Sequence, residues 1–306
     1  MVTMRSVVAV AASKQWYIYQ MDVHNAFFNG GLDEEVYMVL LEGFYRQEES
    51  QKVCKLQKFL YGLKQASRQW NLKLTEALVH MGFQQSHYDY SLFVRRVGDD
   101  IVIILVYVND LLITGSNHKL LCDTRLDLQS RFKMKDLGEL KFFLGIEFAR
   151  SNKGILMSKR KYSSELISET SLSGAKPIST PMELNQKLTT VEYDLSFRKG
   201  NATADEVLRD PGVYQRLVGK LLYLTMTRLD ISFVVQVLSQ FMHCPRISHM
   251  EAASRVVRYI KQAPGLGLLM PAEDTKNLTA YCDSNWGAFV ETRRSVTGYL
   301  VKFGNA

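Results

Sequence analysis

The strongest hydrophobic pattern in the chain is the apolar, largely β-branched run Ile101–Val108. The polar pair Asn109-Asp110 follows it, and a second apolar run then covers Leu111–Thr114. Two apolar runs joined by two polar residues predict a β-hairpin that is buried on both faces and carries its polar groups at the tip. The tip is therefore a place where polar chemistry lies next to a hydrophobic core.

Periodicity elsewhere predicts a mixture of helices and strands. Helices are predicted over Thr3–Trp16, Ala66–Met81, Asn117–Phe132, Val213–Thr227, Ile231–Met242 and His249–Gln262, and further strands over Tyr17–Val23, Leu140–Ala149, Ile155–Ser158, Leu278–Cys282 and Gly298–Phe303. Side chains alternate along a strand, so Gln20 and Asp22 are expected on one face. The polar stretch 173–210 is predicted to be a loop or hinge.

Composition excludes several classes of protein. The chain has 306 residues, of which 46% are hydrophobic and 23% charged, which is not typical of disordered, collagenous or coiled-coil proteins. The longest apolar run is far shorter than the roughly 18–20 residues that cross a bilayer. We interpret the N-terminus as a helix rather than a signal peptide, so we expect no membrane partner and no secretion.

The net charge and the cysteine spacing indicate which kinds of partner and which cellular compartment to expect. The 38 Lys and Arg residues exceed the 31 Asp and Glu residues, a net charge of +7 that suits a phosphate-rich partner without requiring one. The four cysteines form no CxxC pair, which favours a reducing compartment over a disulfide framework or a structural zinc site. We interpret His243, Cys244 and His249 as a helix entry rather than a metal site.

Two acidic residues stand out because each interrupts an apolar strand. Asp22 lies near the end of one predicted strand, and Asp110 lies at the tip of the hairpin. If the two strands are neighbours, the carboxylates could jointly bind Mg²⁺ beside a substrate triphosphate. The alternative is that Asn109-Asp110 is a favourable turn and Asp22 a solvated strand end.

Several motifs along the chain together resemble those of a known protein family. They are QMDVHNAFFNG at Gln20–Gly30, DEEVYM at Asp33–Met38, LYGLKQASRQW at Leu60–Trp70, DYSLF at Asp89–Phe93, LVYVNDLLITG at Leu105–Gly115, LGELKFFLGIEF at Leu137–Phe148, TRLDISFVVQVLSQF at Thr227–Phe241, and YCDSNWG with RRSVTGY at Tyr281–Tyr299. That family is the Ty1/copia-type retrotransposon reverse transcriptases, and the resemblance covers nearly the whole chain.

The resemblance implies an α+β fold and an RNA-directed DNA polymerase activity. We expect a palm over 1–160 with an antiparallel sheet backed by helices, a helical thumb or connection over 161–275, and the truncated start of a ribonuclease H-like domain over 276–306. The implied reaction adds deoxynucleotides to the primer of an RNA or DNA primer–template by two-metal phosphoryl transfer with Mg²⁺ or Mn²⁺. The implied location is cytoplasmic, in a virus-like particle, or nuclear.

The family motifs also imply roles for individual residues. Asp22 and Asp110 match the metal-binding carboxylates, and Phe27 matches an aromatic residue that excludes the ribose 2′-hydroxyl. Lys64, Gln65 and Arg68 match polar positions near the nucleotide or template, and Tyr107 matches a residue beside the primer end. Gly145 matches the primer grip, and Asp283 matches a ribonuclease H carboxylate. Several of these residues have a purely structural alternative. Phe27 could be a core aromatic, Lys64 and Arg68 a solvated helix face, Tyr107 an ordinary sheet tyrosine, and Gly145 a bulge.

One departure from the family pattern affects the chemistry directly. The family sequence Tyr-Val-Asp-Asp is Tyr-Val-Asn-Asp here, with Asn109 in place of the first aspartate. An amide supplies a neutral carbonyl, so the site lacks one negative charge, which at metal-site distances is worth several kcal/mol. We therefore expect nucleotide addition to fall by several orders of magnitude while the fold survives.

Other departures concern the ends and the turns. The chain begins about twenty residues before Asp22, so we expect an incomplete fingers segment, and Asp283 alone cannot support ribonuclease H activity. Prolines of the family pattern are missing at Leu41-Glu42, Ser67 and Leu229, and the last of these would begin a helix. Three hypotheses remain open: an active polymerase, a non-catalytic nucleic-acid-binding relic, and a translated fragment without function.

Overall fold

The computed structural model describes residues 2–30, 34–41, 43, 52–183, 188–197, 205–273, 277–287 and 293–306. These residues form two compact units. The first comprises Val2–Val7 with Lys14–Leu140, and the second comprises Val8–Ser13 with Lys141–Ala306. Both units combine helices with antiparallel sheets, so the mixed helix-and-sheet class expected from the sequence is confirmed. The finer domain division into 1–160, 161–275 and 276–306 stays a prediction.

The first unit is built on one six-stranded antiparallel sheet. Its strands are β1 (Ile18–Val23), β4 (Gln84–Gln85), β5 (Leu92–Val97), β6 (Asp100–Tyr107), β7 (Asp110–Gly115) and β8 (Met134–Glu139), and its other elements are α1 (Val2–Ser13, shared with the second unit), a 3₁₀ helix (Ala26–Asn29), the hairpin of β2 (Tyr37–Val39) and β3 (Val53–Lys55), α2 (Ala66–His80) and α3 (His118–Arg131). The strand order is β4-β5-β6-β7-β1-β8, so β7 and β1 lie in the interior of the sheet.

Helices α2 and α3 cover one face of this sheet. Trp70 and Leu74 of α2 and Leu128 of α3 pack in the same buried cluster as Met21 of β1 and Leu111 of β7. Because side chains alternate along a strand, the residues next to Met21 and Leu111 project from the opposite face. That alternation places Asp22 and Asp110 on the face that α2 and α3 leave uncovered.

Local signals explain where the sequence prediction succeeded in this unit. Asn117 caps α3 by accepting hydrogen bonds from the backbone N–H groups of Lys119 and Leu120, as its residue type favours. Gly82 follows α2 with a φ of +86°, which is typical of the glycine after a helix. Helix α1 ends at Ser13 rather than at Trp16, because Gln15 adopts a left-handed φ of +55°.

The second unit combines a four-stranded antiparallel sheet with a helical cluster. Its elements are β9 (Phe142–Phe143), β10 (Ile146–Ser151), β11 (Gly154–Ser158), α4 (Arg160–Glu169), α5 (Val191–Phe197), α6 (Pro211–Leu224), α7 (Ser232–Ser239), α8 (Ile247–Gln262), β12 (Leu268–Pro271), β13 (Leu278–Asn285) and β14 (Val296–Phe303). The sheet order is β12-β11-β10-β9, and β13 and β14 form a separate hairpin. Apolar residues of α4, α6, α7 and α8 form one buried core.

Two predictions in this unit were wrong. The strand expected over Leu140–Ala149 is broken at Leu144 and Gly145, which both adopt positive φ and reverse the chain between β9 and β10. The polar stretch 173–210 is not loop throughout, because α5 begins at Val191, although residues 184–187 and 198–204 lie outside the described residues. Helix α4 was not predicted.

The lost prolines fall at helix starts where the structure describes them. Ser67 is the second residue of α2, and Leu229 opens a 3₁₀ helix over Leu229–Ile231 that leads into α7. The first residues of a helix have no intrahelical acceptor for their N–H groups, so proline is tolerated there. Glu42, at the third position, lies outside the described residues.

Among the described residues, each helix is too short or too polar to cross a bilayer.

Candidate active site

The two acidic residues singled out by the sequence face each other across neighbouring strands. Strands β1 and β7 are antiparallel, and their register pairs Asp22 with Asp110. Both side chains are half-buried. The juxtaposition that the sequence made conditional on adjacent strands is therefore observed.

The turn beside Asp110 differs from the predicted one by one residue. Tyr107 pairs with Asp110, so Val108 and Asn109 form the two-residue turn and Asp110 is the first residue of β7. The sequence had placed Asn109-Asp110 at the tip, and that placement was wrong. The shift matters because it puts Asp110 on a strand, where its position is set by the sheet rather than by a loop.

The backbone of Val108, in this turn, has a strained conformation. Its φ is +56°, a left-handed value that β-branched residues rarely adopt. The indole N–H of Trp70 donates a hydrogen bond to the Val108 carbonyl oxygen at 2.7 Å. The backbone N–H of Val23 donates to the Asn109 carbonyl oxygen at 2.8 Å. Bonds from α2 and from β1 thus stabilise both peptide groups of the turn.

Each carboxylate accepts a hydrogen bond from a neutral amide. The Asn109 Nδ2 atom donates to Asp22 Oδ1 at 2.7 Å, and the Gln20 Nε2 atom donates to Asp110 Oδ1 at 3.2 Å. The shared face predicted for Gln20 and Asp22 is consistent with these contacts. Asn109 therefore presents its N–H₂ group to Asp22, in the position where the family motif would bring a third carboxylate.

Burial raises the pKa of the Asp110 carboxyl above its ordinary value, the nearby Asp22 carboxylate raises this pKa further, and the hydrogen bond from Gln20 opposes both effects. A raised pKa in the folded state means that ionised Asp110 opposes folding at neutral pH. This unfavourable contribution is fully present above the folded-state pKa, and it disappears as the pH falls below the unfolded-state pKa.

The substitution Asp110→Asn is therefore expected to stabilise the protein at pH 7, by an amount on the order of 1 kcal/mol. The gain in free energy of unfolding should shrink as the pH falls through the raised pKa of Asp110, because the carboxyl of the unmodified chain then takes up its proton. Urea unfolding at a series of pH values measures this difference. Asp127→Asn, at an exposed position of α3, is the matched control, and a loss of stability for Asp110→Asn at pH 7 would contradict the prediction.

A pocket with a basic lining lies at the start of α2. It has a volume of about 370 Å³ and is lined by Glu34, Val36, Phe59, Leu63, Lys64, Gln65, Arg68, Gln69 and Leu72. Lys64, Gln65 and Arg68, predicted together from the family motif, thus share one cavity. Helix α2 has no acidic residue in its first turn, and Gln65 does not cap it with its side chain. Two cations against one Glu34 carboxylate, at the N-terminal end of a helix, make this pocket suitable for an anion.

The aromatic residues predicted to contact substrate lie in the first unit. Phe27 lies in the 3₁₀ helix next to α2, is half-buried, and packs against the exposed ring of Tyr61, with 4.4 Å between the ring centroids. Tyr107 ends β6 with 54% of its surface exposed. Neither Trp70 nor Tyr61 was predicted to serve the site, because their sequence positions indicated only a core residue and a loop residue.

Gly145 and Asp283 belong to the second unit. Gly145 lies in the turn between β9 and β10, and Asp283 lies on β13, opposite Gly298 of β14.

His249, which sequence reasoning assigned to a helix entry, caps the start of α8. Its Nδ1 accepts from the Arg246 N–H at 3.1 Å, and its Nε2 lies 3.2 Å from the Thr189 carbonyl oxygen. Both ring nitrogens are thus engaged within the protein, as in a structural histidine.

Comparison with known proteins agrees with the family motifs. A family model described as reverse transcriptase (RNA-dependent DNA polymerase) matches residues 1–184. The retrovirus-related Pol polyprotein from transposon RE1 of Arabidopsis thaliana is 42% identical over 303 residues, which are 99% of this chain and 20% of the polyprotein. The corresponding polyprotein from transposon TNT 1-94 of Nicotiana tabacum is 34% identical over 313 residues, 99% of this chain and 23% of its own length.

A shorter relative covers a similar region. The putative transposon Ty5-1 protein of Saccharomyces cerevisiae is 33% identical over 288 residues, which are 94% of this chain and 90% of the yeast protein. By contrast, the chain spans about a fifth of the length of the plant polyproteins. The matched family model and the long alignments confirm the resemblance predicted from the motifs: the chain belongs to the reverse transcriptase family, in the branch carried by retrotransposon Pol polyproteins of the Ty1/copia type.

Proposed function

We propose that this chain carries the palm of an RNA-directed DNA polymerase, with Asp22 and Asp110 as its metal-binding carboxylates and Asn109 as a degenerate third position. The observation that carries the proposal is the pairing of Asp22 with Asp110 across β1 and β7, on the face of the sheet that α2 and α3 leave uncovered. In a reverse transcriptase family member, this is where the primer 3′-hydroxyl and the α-phosphate of a deoxynucleoside triphosphate would meet.

The donor set fits a divalent cation only in part. The amide hydrogen bonds engage Oδ1 of Asp22 and Oδ1 of Asp110, and the second carboxylate oxygen of each residue takes no part in them. The charge of Asp22 raises the pKa of Asp110, a repulsion that a cation would relieve. Among the described residues, no third Asp, Glu, His or Cys side chain joins them in a metal-sized group. Two carboxylates are better suited to bind a single Mg²⁺ or Mn²⁺ ion than to bind the two metal ions that two-metal phosphoryl transfer uses. The chemistry such an ion supplies when bound is neutralisation of charge on the reacting phosphate.

The remaining residues of the first unit suit the substrates of such a site. The basic pocket formed by Lys64, Gln65 and Arg68 would bind phosphate groups of the nucleotide or template. Phe27 would place its ring against the incoming sugar, held from the other side by Tyr61, and would exclude a ribose 2′-hydroxyl. Tyr107, exposed at the end of β6, would contact the primer end.

The second unit would serve the nucleic acid rather than the chemistry. We assign Gly145 to the primer grip, the helices of 161–275 to a thumb or connection, and 276–306 to the start of a ribonuclease H-like domain. Asp283, on β13, would be a carboxylate of that ribonuclease H-like domain.

Asn109 favours a second function, the binding of primer–template without copying it. Its amide group donates to Asp22, so it occupies one carboxylate oxygen without adding a negative charge. The basic pocket of α2 does not depend on this position. A chain of this kind would retain phosphate contacts after losing most of its catalytic rate.

Binding of an RNA–DNA primer–template tests both functions at once. The unmodified chain should bind a fluorescent poly(rA)/oligo(dT) duplex with an affinity that falls steeply from low to physiological salt. The double variant Lys64→Ala/Arg68→Ala should weaken binding by about tenfold or more and reduce the salt slope by up to about two units, because up to two phosphate contacts are lost. Fluorescence anisotropy over a salt series measures both quantities.

The matched control removes one lysine and one arginine from α3. Lys119→Ala/Arg131→Ala changes the net charge equally at exposed positions outside the pocket. If both double variants lose the same amount of duplex affinity, the loss comes from the overall charge of the chain. That result would overturn the assignment of the pocket as a phosphate-binding site. A flat salt response of the unmodified chain would remove nucleic-acid binding altogether.

A further inference from the structure

The turn that joins β9 to β10 has a conformation that its sequence does not favour. Phe143 pairs with Ile146, which leaves Leu144 and Gly145 as a two-residue turn with φ values of +50° and +71°. Positive φ at both positions is typical of a type I′ turn, in which Asn-Gly is the preferred sequence. Leucine in the left-handed region is costly. Something outside the hairpin is therefore needed to hold this turn.

The tyrosine Tyr223 of α6 supplies that contact. Its hydroxyl donates a hydrogen bond to the carbonyl oxygen of Leu144 at 2.8 Å. A Cβ atom at position 145 would lie 2.1 Å from the same hydroxyl oxygen. Gly145 is thus required for the approach of a side chain of the same unit, in addition to its positive φ.

The ring of Tyr223 is itself held from behind by a buried lysine. The Lys159 side chain is almost fully buried, and its Nζ lies 2.8 Å from the centre of the Tyr223 ring. The same Nζ donates to the Tyr223 carbonyl oxygen at 3.0 Å, and Tyr162 packs edge-on against the ring with 4.9 Å between centroids. A cation over an aromatic face is attractive, most strongly where water is excluded. Lys159 and Tyr162 therefore fix the ring that reaches the turn.

The residues beside the turn have the chemistry of a nucleic-acid contact. Lys141 is exposed, and Phe142 exposes 54% of its surface at the start of β9. A cation suits a phosphate, and an exposed aromatic ring suits the face of a base or sugar. Both lie within three residues of Leu144, so the shape of the turn determines how they are presented.

We infer that Tyr223 is a positioning residue that holds the Leu144–Gly145 turn in its type I′ shape, so that this turn and the adjoining Lys141-Phe142 segment bind one strand of a primer–template duplex. The inference rests on the proposed function for its ligand, but its structural part is independent of it. Tyr223 would act through the turn and would not touch the reacting atoms.

The test is a double-mutant cycle in the full chain between Tyr223→Phe and Leu144→Asn. Tyr223→Phe removes the hydroxyl and keeps the ring over Lys159, so amide hydrogen exchange at Ile146, which pairs with Phe143 across the turn, should rise about fivefold to tenfold. Affinity for the poly(rA)/oligo(dT) duplex should fall by about threefold to tenfold. Leu144→Asn creates an Asn-Gly turn that favours type I′ without outside help, and it should restore both quantities in the Tyr223→Phe background.

Each result decides a separate point. If Tyr223→Phe lowers overall stability but leaves exchange in the turn and duplex affinity unchanged, the hydroxyl has a packing role only and the inference is overturned. If amide exchange in the turn becomes faster while the affinity for the duplex stays unchanged, the proposed contact between the turn and a nucleic-acid strand is overturned. If the unmodified chain fails to bind the duplex, the proposed function fails with the strand contact, while the exchange data still decide whether Tyr223 holds the turn.

Discussion

The substitution Asn109→Asp is expected to raise the rate of primer extension with Mg²⁺ by about a thousandfold. It adds a negative charge beside Asp22 and Asp110, where the present amide donates a hydrogen bond instead. One charge at metal-site distance is worth several kcal/mol, and each 1.36 kcal/mol changes a rate tenfold. Primer extension on poly(rA)/oligo(dT) with Mg²⁺ and with Mn²⁺ measures the gain over the unmodified chain.

Stability gives a second readout for the same variant, one that does not need activity. Without a divalent cation, Asn109→Asp loses the hydrogen bond to Asp22 and adds a like charge, so its melting temperature should fall below that of the unmodified chain. Mg²⁺ should restore it, because a ligand that binds only the folded state stabilises that state. Chelation by EDTA should reverse the effect.

The matched control is Asn71→Asp, which adds the same charge at an exposed position of α2, the helix that covers the opposite face of the sheet from Asp22 and Asp110. Because the new carboxylate is solvated there, this variant should change little in stability and gain no Mg²⁺ response. Measurable extension by the unmodified chain at the rate of the aspartate variant would refute the assigned defect. A Mg²⁺ response equal in the two variants would refute the metal site.

Removal of the buried amine by Lys159→Met is expected to flatten the pH dependence of stability above neutral pH. Burial lowers the pKa of the Lys159 ammonium from 10.5 to about 7 in the folded protein. Between these values the unfolded chain binds more protons, so the free energy of unfolding rises with pH, by at most about 1.4 kcal/mol per unit. The cost of the buried charge is fully present below about pH 7 and is lost as the pH rises toward the unfolded-state pKa.

Urea unfolding of both proteins from pH 6 to pH 9 tests this expectation. The difference in unfolding free energy between the unmodified chain and Lys159→Met should change by about 2 kcal/mol between pH 7 and pH 9, in favour of the unmodified chain at the higher pH. Lys161→Met is the control, since its side chain is 79% exposed and should leave the pH dependence unchanged. Parallel pH curves for the unmodified chain and Lys159→Met would refute the lowered pKa of the lysine.

Local patterns predicted the parts of the fold that local chemistry controls. The apolar runs around the Val108-Asn109 turn produced the predicted hairpin, and the cap residues Asn117 and Gly82 marked true helix ends. Strands β5 and β8 were not predicted because polar residues interrupt them. Arg95 and Arg96 lie within β5, and β8 lies at an edge of its sheet, where the hydrophobic alternation weakens.

Long-range contacts decided the features that the patterns missed. Leu144 breaks a strand that the sequence predicts to be continuous, because a tyrosine 79 residues away donates to its carbonyl oxygen. Similarly, the strained φ of Val108 is accompanied by a bond from Trp70, which periodicity assigned only to the core. A side chain far along the chain leaves no signal in the local pattern of either turn.

The sequence by itself determined the family and the residue types at positions 22, 109 and 110, since residue type alone decides whether position 109 can carry a carboxylate. Only the tertiary structure decided that Asp22 lies opposite Asp110, because strand order and register follow from the packing of the whole sheet. It also decided that the amide of Asn109 faces Asp22. A hydrogen bond between side chains 87 residues apart exists only after the strands have paired.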